Sequence, residues 1–400
     1  MSSNNILNSL RGSNLVNGLQ EVAQASQTPM YETAVGMSAI KNVSANVAVL
    51  PSQSVSLAST VVSATEYTVN IPRNGFLHGI IIKVVATGAA NNVVSVTNGG
   101  LFPHLLKCDI LRGGQVVMPM NGAAALCYMS KYIEGNAVDR ILEASLDNNS
   151  TLPTSATTCY LLVPFDFTFD KSLALDTLYM EQLQLRVSFS NNPFGSDLSL
   201  NDGASPTPAS LGIASWGAAS AIFHYYDLDP DVTSELRKNV YASSDAHAFL
   251  TNGWYNYSAI SSAGPVNLNS QNLVKHIFYI VQTRNGALST PTGSHTLTAG
   301  GQTLQQHESQ SDAMIQRLVF APKQNVFGNA LGEVIGCFDL TNAQHTESDS
   351  YSGGISLRNI ADPRLTCSSL TSARYFVVEC YYNLVSVSSA SGQVMVAATS

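Results

Sequence analysis

Residues 181–195 read EQLQLRVSFSNNPFG, and the alternation inside them limits the possible folds more than any other feature of the chain. Leu183, Leu185, Val187 and Phe189 fall on one face of an extended backbone, and Gln182, Gln184, Arg186 and Ser188 fall on the other. Successive strand side chains point to opposite faces, so the stretch predicts a strand with one dry and one polar side. Burying each of the four apolar side chains contributes roughly 1.5–3 kcal/mol before the entropy of ordering is subtracted. The strand runs into Asn-Asn-Pro, which cannot continue it, and then into a nearly uncharged stretch up to Trp216.

Similar runs recur along the chain. Strands are expected at 65–71, 76–87, 105–117, 158–167, 181–189 and 219–229, then at 246–260, 272–284, 314–323 and 373–388. Residues 121–146 contain few β-branched side chains and fit a broken helix, and residues 325–338 fit a second helical insert. Residues 191–216 and 285–311 lack apolar periodicity and are expected to be long packed loops. The two halves repeat in order: aromatic strands, a helical insert, and a closing apolar Tyr-Tyr strand (IFHYYDL at 222–228, VVECYYNLV at 377–385). Short strands with turn punctuation argue for antiparallel sandwiches, not βα units.

With 400 residues the chain exceeds the size at which single cores stop growing, about 250–300 residues. The expectation is all-β: two tandem eight-stranded antiparallel jelly rolls with short helical inserts and an N-terminal helical arm. Domain limits are placed at 1–42 for the arm, 43–228 for the first jelly roll, 229–240 for the linker and 241–400 for the second jelly roll. In the arm, Ile6, Leu7, Leu10, Leu15, Leu19 and Val22 recur near helical spacing, Gly12 and Gly18 weaken an isolated helix, and Pro29 ends it. Such a segment either folds onto its own domain or orders against a neighbour or a membrane surface.

Charged residues make up 12% of the chain, against about 25% in an ordinary soluble domain. Amides, hydroxyls, glycine and alanine take their place, giving a surface with little repulsion between copies. The net charge is -8 and no basic run exists, the densest pair being Arg237-Lys238, so direct contact with nucleic acid is not expected. The N-terminus lacks a secretory signal pattern, and cytoplasmic synthesis is the expectation.

Candidate chemistry is sparse. Asp227, Asp229 and Asp231 form DxDxD, a weak candidate for a metal, but Val232 and Lys238 stand where a calcium loop needs Gly and Glu. An acidic turn at the junction is the alternative reading. The histidines show no HExxH pattern; His224 and His276 sit in strand-like runs, while His295, His307 and His345 lie in polar segments with no evident partner. The six cysteines lack zinc-like spacing and suit buried thiols. Glu134, Asp139 and Glu143 suit a solvated helix face better than a glycosidase pair. No GxSxG elbow is present; neither a catalytic residue nor a cofactor is expected.

The stretch LQLRVSFSNNPF resembles one in the first barrel of double jelly-roll major capsid proteins from tailless icosahedral viruses that enclose a membrane, the tectivirus-like lineage. The neutral arm before Pro29, IPRNGFLHGIIIKV and the DLDPD junction look like the same pattern. The resemblance implies a homotrimeric capsomer of pseudo-hexagonal outline in a virion shell, with loops at the outer surface. It implies neighbouring capsomers, minor capsid and vertex proteins as partners, and the arm at the base near lipid. The arm departs in lacking a basic cluster for anionic headgroups. A receptor-binding spike jelly roll and a carbohydrate-active jelly-roll enzyme remain as other readings.

Overall fold

The computed structural model describes residues 47–57, 66–146, 151–195, 212–228, 247–341 and 353–398, apart from 93, 170–172, 284–285, 321–329, 372 and 388–393; it also describes residues 230, 233, 234 and 237. The arm, with Ile6, Leu7, Leu10, Leu15, Leu19 and Val22, lies outside the described residues, as do Asp229, Asp231, His345 and most of 229–240.

The first half contains β1 (Val47–Val49), β2 (Gln53–Leu57), β3 (Glu66–Asn70), β4 (Phe76–Gly88), β5 (Leu105–Arg112), β6 (Gln115–Met118), α1 (Gly122–Tyr132), α2 (Gly135–Ala144), β7 (Thr157–Leu162), α3 (Asp166–Phe169), β8 (Leu175–Asp176), β9 (Leu183–Phe189) and β10 (Ile213–Leu228). The second contains β11 (His247–Asn256), β12 (Gly264–Asn267), β13 (Leu273–Thr283), β14 (Leu288–Ser289), β15 (His295–Ala299), β16 (Gln302–His307), α4 (Gln310–Phe320), α5 (Ala330–Val334), β17 (Ile335–Asp339), β18 (Ile355–Ser356), β19 (Arg364–Cys367), β20 (Ala373–Val387) and β21 (Val394–Ala398).

Strand order gives the topology. One sheet of the first half runs β1-β10-β4-β7, with β2 also on β10, and the other runs β3-β9-β5-β6. In the second half β11-β20-β13 is continued by β17 on β13, facing β12-β19-β15-β16. Taking β2, β3, β4, β5, β6, β7, β9 and β10 as the eight strands of one barrel, and β11, β12, β13, β15, β16, β17, β19 and β20 as those of the other, the connectivity is the same. First, eighth, third and sixth strands form one sheet; second, seventh, fourth and fifth form the other. This is the jelly roll, built twice. All pairings are antiparallel, and each sheet draws its strands from one half only.

The opening strand behaves as its alternation requires. In β9 Leu183, Leu185, Val187 and Phe189 are buried, while Gln184 and Arg186 are partly exposed. Arg186 pairs with Asp109 on neighbouring β5 at 2.6 Å. The helical inserts occupy equivalent places, between the fifth and sixth strands of each barrel. All six cysteines are buried and no disulfide joins them.

Several expectations are corrected. Residues 105–117 form a hairpin, not one strand, because Gly113 and Gly114 take positive φ (52° and 86°), which a tight turn demands. The strand expected at 158–167 ends at Leu162, and Asp166 opens a helical turn. Residues 314–323 were expected extended, but α4 is helical through Phe320: the Ser309 hydroxyl accepts from the Asp312 amide (3.2 Å) and the Asp312 carboxylate accepts from the Glu308 amide (2.9 Å). In 325–338 the described part splits into α5 and the strand β17. The stretch 285–311 is not a loop; it supplies β14, β15 and β16. Its strands are short and rich in threonine and glutamine, with Leu288, Leu297 and Ala299 the buried apolar side chains, so the dry face was too short to register as periodic. The other expected loop, 191–216, ends early, since β10 already starts at Ile213 and includes Trp216.

Candidate functional site: the seam between the barrels and the outer sheet faces

In most antiparallel sandwiches the outer face of each sheet meets water. The β11-β20-β13-β17 sheet of the second barrel is instead dry on both sides. Its inner side carries Ile277, Tyr279, Val377 and Phe338 into the second core. Its outer side carries cross-strand rows toward the first barrel: Trp254, Cys380 and His276; Val378, Phe278 and Cys337; and Ile280 and Ile335 with partly buried Phe376. Apart from His276, these side chains form one continuous apolar cluster with the first barrel's core.

Helix α1 lies within this seam. Residues Gly122 through Lys131 are all buried, as expected for a helix wedged between two layers. Asn121 caps it by accepting from the Ala124 amide at 2.9 Å. The start of the helix passes so close to Phe102 that a Cβ on Gly122 would lie 1.7 Å from the Phe102 carbonyl oxygen, so only glycine fits. Beside it, a cavity of about 290 Å³ opens between Leu105, Leu106, Phe194, Phe376 and Val378. Phe194, in the left-handed region at φ 55°, packs against Phe376 with centroids 4.9 Å apart.

Polar groups set into the seam come from opposite barrels. Lys131 Nζ on α1 lies 2.5 Å from Asp339 Oδ2 on β17, both side chains about 95% buried (5% and 6% exposed). Asp339 Oδ1 lies 3.2 Å from His276 Nδ1 and accepts from the Thr341 hydroxyl at 2.6 Å. His276 Nε2 meets the Tyr132 hydroxyl at 2.7 Å. Burial lowers His276 to about 4 despite Asp339, so it is neutral at pH 7 and Lys131 is the counter-ion there. Burial pushes the Asp339 carboxyl up, but His276 and Lys131 outweigh it and hold the group well below the usual range. A second group joins Asp166 on α3 to Asn252 and Lys275 of the second barrel. The Asn383 amide donates to the Val117 carbonyl at 2.9 Å, and the Val394 amide to Glu181 at 3.0 Å.

The equivalent outer face of the first barrel has no such cover among the described residues. There Ile81, Val85, Ile222 and Leu162 are half-buried, Ser54, Ser56 and Tyr160 are exposed, and Lys83 is the sole charged side chain of that set. Lys83 Nζ stands 6.0 Å from the Tyr160 ring centroid.

The sequence-derived candidates divide as follows. Asp227 is on β10, and among the described residues no group of three or more His, Cys, Asp or Glu side chains converges on a possible metal site. His295 and His307, expected to lack partners, are buried in the second core. His295 Nδ1 lies 3.0 Å from the Tyr375 hydroxyl and His307 Nδ1 2.8 Å from the Tyr279 hydroxyl, with the rings stacked on Tyr279, Tyr375 and Phe338. Sequence reasoning passed over Lys131, Lys275, Asp166 and Asp339. A lone lysine inside the apolar run LVKHIFYI was the available signal.

Comparison of the sequence with protein-family profiles finds no match, and comparison with curated proteins finds none. Solved structures do match in fold. The PBCV-1 virus capsid gives a TM-score of 0.63 at 13% identity, over 88% of this chain and 97% of that one. PBCV-1 VP54, fitted into a reconstruction of the virophage Sputnik, gives 0.62 at 14% identity, over 88% and 97%. The Faustovirus major capsid protein gives 0.57 at 9% identity, over 86% and 91%. What these share with the chain is the double jelly roll across nearly its whole length.

Proposed function

We propose that this chain is the major capsid protein of an icosahedral virus and works by self-assembly, with its place in the virion shell and no catalytic role. The carrying observation is the unequal treatment of two equivalent faces. The outer sheet face of the second barrel is sealed against the first barrel, whereas on the same face of the first barrel Ile81, Val85, Leu162 and Ile222 stay half-buried, with Lys83 the one charged side chain beside them and no described residue sealing them as the seam is sealed. A second copy presenting its own barrel in the same head-to-tail manner covers that face, and a head-to-tail contact that closes makes a ring. Three copies of two barrels give six similar corners, a homotrimer of pseudo-hexagonal outline. The fold shared with the PBCV-1 capsid and the Faustovirus major capsid protein supports this reading.

In the same reading, residues 1–42 form an arm and 229–240 a linker between jelly rolls 43–228 and 241–400. Ile6, Leu7, Leu10, Leu15, Leu19 and Val22 contact neighbouring capsomers or an internal lipid membrane at the base. Minor capsid and vertex proteins complete the shell, and the genome is not contacted directly.

The test is light scattering of the purified chain and of Ile222→Asp. Ile222 is on the outward face of β10, opposite Ile81, so a carboxylate there leaves the barrel core intact. The wild type is expected as a trimer and the variant as a folded monomer. A wild type that stays monomeric at all concentrations, or a variant that trimerises normally, refutes the proposal.

A further inference from the structure

Three buried side chains in the seam are arranged for a covalent reaction. Lys275 Nζ donates to Asn252 Oδ1 at 2.7 Å, and Asn252 Nδ2 donates to Asp166 Oδ1 at 2.6 Å. The second Asp166 oxygen accepts from the Asn252 amide at 2.5 Å. Lys275 is 3% exposed, Asn252 5% and Asp166 6%. The primary carboxamide therefore sits between an amine and a carboxyl group, shielded from water.

The surroundings fix that geometry. Lys275 falls where the β13–β20 register shifts between Val274 and His276, a bulge that re-aims its side chain toward the first barrel. Its Nζ stands 4.9 Å from the Tyr382 ring centroid and 5.6 Å from that of Tyr132. Cys380 Sγ donates to Asn252 Oδ1 at 3.4 Å, adding a second donor on the oxygen that gains charge when the carbonyl is attacked. Tyr128 hydrogen-bonds to Asp166.

We propose that Lys275 and Asn252 become joined by an intramolecular isopeptide bond, with Asp166 as the acid–base group. A proton passes from the Lys275 ammonium to the Asp166 carboxylate across the shared amide, leaving a neutral amine and a carboxylic acid. The Nζ lone pair attacks Asn252 Cγ. Asp166 delivers its proton to Nδ2 and takes one from Nζ, the Cγ–Nδ2 bond breaks, and ammonia leaves. An Nζ–Cγ amide forms and one ammonia is lost; no oxidant, metal or cofactor enters. Burial raises the Asp166 carboxyl, which favours the acid form the step uses. Holding amine and carbonyl in contact replaces a very slow bimolecular reaction by a unimolecular one.

The bond ties β11 to β13 across β20, which lies between them. Since Asp166 belongs to the first barrel and its two partners to the second, the bond forms only after the barrels have docked.

Intact-mass measurement of the purified full chain tests this directly. The expected mass is lower than the sequence mass by about 17 Da, the mass of ammonia. Tryptic digestion should leave Lys275 uncleaved and yield a branched peptide containing Asn252 and Lys275. Asp166→Asn, checked for folding by circular dichroism, should retain the full mass. The full sequence mass in the wild type with cleavage after Lys275 overturns the proposal, as does an ammonia loss that maps to other residues. The wild-type result stands even if the variant fails to fold.

Discussion

Lys131 and Asp339 offer a quantitative test of how the seam is held. The two atoms are 2.5 Å apart, on different barrels, with side chains only 5% and 6% exposed. Replacing Asp339 by Leu strands the Lys131 ammonium in a dry interface, and breaking a buried pair this way costs about 3–5 kcal/mol. Replacing Lys131 by Met should cost less, about 1–3 kcal/mol, because Asp339 keeps both the amide (3.2 Å) and the hydroxyl (2.6 Å) of Thr341 as donors. His276, 3.2 Å away, can also take up a proton to replace the lost charge. The double variant removes both charges and should be far less damaged than the sum, leaving a coupling of about 2 kcal/mol or more. Two barrels need not unfold in one step, so the readout is hydrogen exchange of the α1 amides, which report seam opening locally. Additive losses, or an Asp339→Leu cost below about 1 kcal/mol, would show that the pair is solvated and that the barrels are held by apolar contact alone.

Acid should weaken the fold through its buried histidines. His104, His276 and His295 are each lowered to about 4, by burial first in every case. A histidine with a depressed folded pKa binds its proton more readily unfolded, so stability is lost as pH falls from about 6.5 toward 4, by up to roughly 3 kcal/mol per group. Asp166 and Glu379, both raised by burial, offset part of this as they protonate. A thermal midpoint that is flat between pH 6.5 and 4 contradicts the assignment. Val187→Asp places a carboxylate at a fully buried site between Tyr67 and Cys108; the expected loss is about 4 kcal/mol or more, seen as insoluble chain on expression, and a normal soluble yield refutes the facing of β9.

What the sequence disclosed depended on the physical signal each element carries. The strand at 183–189 was legible because one face is core and the other partly solvated, so its alternation survives in the residues. In β13 it does not survive: both faces are buried, and LVKHIFYIVQT reads as a continuous apolar run with Lys275 and His276 as apparent interruptions. Those interruptions were the seam. The α4 helix was missed since Met314, Ile315, Leu318 and Val319 look strand-like in isolation, while the deciding cap, Ser309 with Asp312, lies upstream of the apolar residues. The small strands β15 and β16 form a hairpin through Gly300-Gly301, a turn signal the sequence did carry. The hairpin is joined to its sheet by β19, distant in sequence, and local composition carries no trace of that pairing. Both tandem barrels, by contrast, left their mark in the repeated closing strands, because the eighth strand of each jelly roll is central in its sheet.

The distribution of charge between the two equivalent faces bears on assembly. Apolar rows such as Val378, Phe278 and Cys337 supply attraction without direction and tolerate sliding, whereas Lys131–Asp339, Tyr132–His276 and Asp166–Asn252 each have one correct partner on the other barrel. Sliding the seam by one strand residue would leave these groups buried and unpaired, at a cost of several kcal/mol. Register within the chain is therefore fixed by polar matching. On the outer face of the first barrel, Lys83 is the one charged side chain beside Ser54, Ser56, Ile81, Val85, Tyr160, Leu162 and Ile222, so docking a second copy over that patch entails little desolvation of ions. In the proposed assembly, a contact of that kind forms and dissociates readily and would let misplaced copies leave, while the seam, made once within each chain, need never open.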